Sequence, residues 1–95
     1  MRSVVQTPEF LTKLEELAGH YSPEERDNFL FAFDSSLARH PEKVGVKIVD
    51  GSPAIWMSAT VRSYYMSPVH LFYTFNETHV YLLGITLASE SSGYD

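Results

Sequence analysis

The chain has 95 residues, 44% hydrophobic and 14% aromatic, which suffices for one domain with a real core and leaves no room for a second. Seven Lys+Arg stand against twelve Asp+Glu, for a net charge of −5, and the cations are scattered. That balance excludes strong non-specific nucleic-acid binding, which draws on counterion release at basic patches. The absence of cysteine excludes disulfides and thiolate ligands or nucleophiles.

No apolar run approaches the roughly 20 residues of a membrane span, and MRSVVQTPEF has no signal-peptide core. A cytoplasmic protein is therefore expected. Val4-Val5 in MRSVVQ predict a first strand. Thr7-Pro8-Glu9 is a helix start: threonine caps, proline suits the first turn, and glutamate favours the positive end of the dipole. Phe10, Leu11, Leu14, Leu17 and Ala18 recur at helical spacing, and Gly19 is expected to end the helix. Ser22-Pro23-Glu24-Glu25 reads as a capping box that opens a second helix. Its apolar face is Phe29, Leu30, Phe33 and Leu37, with Ala32 beside them. Pro41 predicts its end near Arg39-His40.

From Pro41 the character changes. VGVKIV (44–49) reads as a strand, Asp50-Gly51-Ser52-Pro53 as a turn, and AIWMSA (54–59) as a second strand. Residues 60–68 are expected to be largely loop. The stretch 69–87, VHLFYTFNETHVYLLGITL, predicts two antiparallel strands around a turn at Glu77-Thr78. That register sets Phe75 opposite Val80, Tyr73 opposite Leu82 and Leu71 opposite Gly84. One face then carries Val69, Leu71, Tyr73, Phe75, Val80 and Leu82. The other carries His70, Phe72, Thr74, Tyr81, Leu83 and Ile85. The small polar tail, 88–95, is expected to fray. The element order is that of an α+β domain spanning 1–95, in which an N-terminal strand and a two-helix hairpin accompany a small antiparallel sheet.

TPEFLTKLEEL, SPEER…LARHPEKVG, VHLFYTF and VYLLGITL, in this order, resemble the RelE/ParE toxin superfamily of type II toxin–antitoxin systems. The resemblance spans roughly residues 3–87. It implies a compact toxin neutralised by a cognate antitoxin, acting on mRNA at the ribosome or, in the ParE branch, on DNA gyrase. In the cleaving branch the implied chemistry is general acid–base catalysis with a cation stabilising the phosphorane. Carried onto this chain, the candidate catalytic residues are His70 as acid or base, Arg62 as phosphate contact and Tyr94 as auxiliary. The chain departs from the pattern at His70, where the family's strand has arginine. It departs again at Leu87-Ala88-Ser89-Glu90, where a cation is missing. The implied function is thus a toxin or toxin-like protein acting mainly through protein contact. The alternatives are an active endoribonuclease with an altered site and a non-toxic member keeping only the fold.

The plainer readings are structural. His70 also fits a strand-face histidine with one hydrogen bond, and Arg62 a solvated loop cation. Trp56, Tyr64 and Tyr65 suit base stacking as well as sheet core or a partner-binding surface. His20, His40 and His79 fall at a linker, a helix end and a turn, with no metal-ligand spacing. No cofactor motif occurs.

Overall fold

The computed structural model describes residues 1–59 and 68–88. It is a mixed α+β domain. Five strands, β1 (Ser3–Gln6), β2 (Val46–Val49), β3 (Ile55–Ala59), β4 (Val69–Phe75) and β5 (His79–Leu87), lie in the order β1-β5-β4-β3-β2. Helices α1 (Pro8–Glu16) and α2 (Pro23–Arg39) follow β1, and a single helical turn, α3 (Pro41–Val44), leads into β2.

The helix starts form as local chemistry dictates. Thr7 Oγ1 accepts from the Phe10 amide and donates to the Leu82 carbonyl at 2.6 Å, so one hydroxyl caps α1 and ties it to β5. At α2 the capping box closes in both directions. Ser22 Oγ accepts from the Glu25 amide, and Glu25 Oε1 accepts from the Ser22 amide. The end of α1 differs from expectation: α-helix stops at Glu16, and Gly19 lies inside a 3-10 turn (Ala18–His20) without positive φ. Ala32 is exposed rather than part of the buried face of α2. Val44 belongs to α3, not to a strand, because Pro41 pre-sets helical φ after the break at His40.

The expectation of a wholly antiparallel sheet is corrected at one edge. The β2–β3, β3–β4 and β4–β5 pairs are antiparallel, but β1 runs parallel to β5, with Ser3 opposite His79 and Gln6 opposite Leu82. A parallel neighbour needs a long connection, and everything between β1 and β5 supplies it. At the hairpin, Asn76 Oδ1 accepts from the Thr78 and His79 amides, an Asx turn centred where the sequence places it. Phe75 faces Val80 and Tyr73 faces Leu82, but Phe72 then faces Gly84 and Leu71 faces Ile85. Leu83 is the extra residue of a β-bulge, and it moves every later residue of β5 to the opposite face. Ile85, assigned from the sequence to the second face, is therefore a core residue, 1% exposed.

The core is one cluster on one side of the sheet. Phe10, Leu14 and Leu17 from the first helical segment and Phe29, Phe33 and Leu37 from α2 meet Val69, Leu71, Tyr73, Val80, Leu82, Ile85 and Leu87. Tyr73, fully buried, donates its hydroxyl to the Pro41 carbonyl at 2.6 Å and so pins α3 to the middle strand. Gly45 makes that approach possible. A Cβ there would collide with the Met57 carbonyl oxygen and stand 2.7 Å from the Tyr73 hydroxyl.

Candidate functional site

Strand alternation sends the other half of each strand to the face away from that cluster. His70 is on this open face of β4, the middle strand, opposite Ala59 of β3 and Thr86 of β5. It is half-buried, so its ring is not sealed into the core. Thr86 Oγ1 beside it is buried and makes no hydrogen bond among the described residues. Towards β2 the same face carries Met57 and Ile55, both half-buried, and then the exposed Val46 and Val49 that pair with them. Towards β1 it carries Tyr81, whose ring stacks on His79 with centroids 5.8 Å apart, and Val5, which pairs with Tyr81. His79 Nδ1 shares a 2.7 Å hydrogen bond with Thr78 Oγ1. Near the hairpin end, Pro53, Thr74, Phe75, Tyr81 and Leu83 line a shallow, mainly apolar depression of about 330 Å³.

Phe72, at the centre of this face between Met57 of β3 and Gly84 of β5, is only 2% exposed, so the face is covered there. Apart from Phe72, the described residues of this face are half-buried or exposed, apolar at Ile55, Met57, Tyr81, Val46 and Val49 and polar at His70, Thr74 and Thr86. Such a surface suits a protein partner more readily than a polyanion.

Of the predicted catalytic residues, His70 is placed as just described, whereas Arg62 and Tyr94 lie outside the described residues, as do Tyr64 and Tyr65. The structure does not bring Trp56 to His70. Trp56 pairs with Tyr73, and so sits on the helix-side face. There it forms part of a ring series: Trp56 stacks on Tyr73 at 6.5 Å and lies 5.3 Å from Phe75. Cations close both ends, with Lys47 Nζ 5.7 Å from the Trp56 ring and the Arg2 guanidinium 5.3 Å from Phe75. Sequence reading missed this series because Arg2 and Phe75 are 73 positions apart and meet only through the β1–β5–β4 order. No grouping of three metal-ligating side chains occurs among the described residues, and none of their helices is long and apolar enough to cross a membrane.

Three described groups carry shifted titration, and at each burial raises it: Tyr21, Tyr73 and Asp34. Burial pushes the Tyr73 phenol up to about 12, against a weaker opposing hydrogen bond from the Gly45 backbone. Burial also raises the Asp34 carboxyl on α2, whose Oδ1 has no hydrogen-bond partner among the described residues. Tyr73 belongs to the helix-side core, Tyr21 packs against it and Asp34 is on α2, so none of the three is a candidate for chemistry on the open face. Comparison with known protein families, curated proteins and solved structures finds no match.

Proposed function

We propose that this chain is a toxin or toxin-like component of a type II toxin–antitoxin system of the RelE/ParE kind. In this reading it works in the cytoplasm and is bound and neutralised by a cognate antitoxin. Two things support the reading: the sequence resemblance, and an element order in which a strand and a two-helix unit precede the remaining strands of a small sheet. The observation that carries it is the partly exposed apolar surface on the sheet face away from the helices. On that face Ile55, Met57, Tyr81 and Leu83 are half-buried and Val46 and Val49 exposed, a surface that an apolar partner would extend. The depression at Tyr81 and Leu83 suits one anchoring side chain of that partner.

A second reading, an active mRNA endoribonuclease, is favoured by one specific feature. His70 is accessible on the open face of the middle strand, where an acid or base would need to be. Arg62 would hold the phosphate and Tyr94 assist.

Expression from a tight promoter, with and without the adjacent gene, tests the first reading. Growth arrest relieved by the neighbour supports it; unimpeded growth reduces the chain to a non-toxic relative of the fold. Primer extension on a reporter mRNA then separates the modes. Codon-phased cuts lost in His70→Ala support the nuclease. Arrest with DNA-damage signalling and no cuts supports action on gyrase.

A further inference from the structure

The sheet has two edges, and they are not equivalent. At β1 the flanking backbone is already engaged: the Arg2 amide donates to the Ala38 carbonyl of α2 at 2.9 Å. At β2 no strand lies outside Val46–Val49 among the described residues. An edge strand with free backbone groups is a template for another extended segment. Natural edges are commonly blunted by charge, proline or bulges; β2 has Lys47 and a register shift between Lys47 and Val49, yet Val46 and Val49 remain 60% and 37% exposed on the face away from the helices.

The opposite face of β2 has a different chemistry. Lys47 pairs with Trp56 on the helix side, where its ammonium lies 3.8 Å from Asp50. Asp50 is 93% exposed, so that pair contributes little and an incoming carboxylate competes with it easily. Just before the strand, Arg39, His40 and Lys43 line a shallow depression with Ser35, Ser36 and Val44. Arg39 and Lys43 make no ion pair among the described residues. Lys47 thus marks the helix side of an edge whose other side is valine, and two further cations, Arg39 and Lys43, precede the strand. Of the other described cations, Lys13 and Arg26 are paired with acids, and Arg2 lies over Phe75 with its Nε donating to the Asn76 carbonyl.

From this two-faced edge we infer that β2 is the docking strand for an extended segment of a partner protein in which acidic and apolar residues alternate. The segment adds as a sixth strand. Its carboxylates meet Lys47, Lys43 and Arg39, and its apolar side chains extend the row of Val46 and Val49. A nucleic acid fits less well. The rings nearest these cations already have Lys47 and Arg2 over them, which leaves poor platforms for bases. The inference does not require the toxin reading, and its test uses purified protein rather than growth.

The full chain is titrated with a capped peptide of about eight residues alternating glutamate and valine, and with a lysine–valine counterpart. Calorimetry reads affinity, and amide hydrogen exchange reads location. The expected result is binding of the glutamate peptide at least about tenfold tighter than the lysine peptide, weakening with salt. Slowed exchange should fall on residues 46–49. Lys47→Glu is expected to reverse the preference, and Val46→Asp to weaken both peptides. Equal affinity for the two peptides overturns the inference, as does protection confined to other strands. So does protection of β2 in the peptide-free protein that disappears on dilution, which would make a second copy of this chain the occupant.

Discussion

Tyr73 shows how much a single hydroxyl does here. Its ring is in the core, and its OH is the link between the middle strand and the turn at Pro41. Tyr73→Phe leaves the Pro41 carbonyl without its donor, and is expected to cost about 1–3 kcal/mol in urea unfolding. The same residue sets an alkaline limit. Its phenol ionises near 10 when unfolded and near 12 when folded, so its contribution is complete below pH 10 and drains away as pH rises towards 12. Wild type should lose stability across that window, and Tyr73→Phe should show a flatter curve. Asp34 runs on the acid side. Its raised carboxyl binds a proton more tightly in the folded chain, so ionisation at neutral pH works against folding. Asp34→Asn is expected to melt higher than wild type at pH 7. The two curves should converge as pH falls and Asp34 takes up its proton.

At the level of elements, two short segments carry different burdens. The capping box of α2 is surface chemistry within four residues, and Ser22→Ala is expected to cost about 1 kcal/mol. The turn from α3 into β2 is a packing constraint. Gly45→Ala drives a methyl against the Met57 backbone and the Tyr73 hydroxyl, and backbone cannot step aside as a flexible side chain can. A loss of about 1–3 kcal/mol is expected by thermal or urea unfolding, with the Tyr73 hydrogen bond weakened as well. The caps were legible because every interacting group is within three residues. Gly45 was not singled out, since what crowds it comes from β3 and β4 and is adjacent only once the strands have paired.

At the scale of the whole sheet, the face against the helices holds the continuous core, whereas among the described residues the opposite face is buried at Phe72 and partly exposed elsewhere. Neighbouring residues on β4 report it directly. Leu71 is fully buried against the helices, and Leu71→Ala is expected to cost about 2–5 kcal/mol. His70, one position away on the open face, is expected to tolerate alanine at a cost of no more than about 1 kcal/mol. If His70→Ala proves as damaging as Leu71→Ala, the open face is part of the fold and not a surface for partners. If the contrast holds, His70→Ala also serves as a probe of chemistry, because a loss of activity in it is then not a loss of structure.

Composition, periodicity and capping signals determined an α+β domain, the starts of α1 and α2, the hairpin at Glu77-Thr78 and most of its inner face. Each depends on residues a few positions apart, or on the strict alternation of a strand. Only the tertiary structure decided that β1 joins the sheet parallel to β5, that Leu83 bulges and returns Ile85 to the core, and that Trp56 and His70 part to opposite faces. Register and edge order are settled when distant segments compete for the same backbone partners and the same apolar volume, a competition that no local pattern contains.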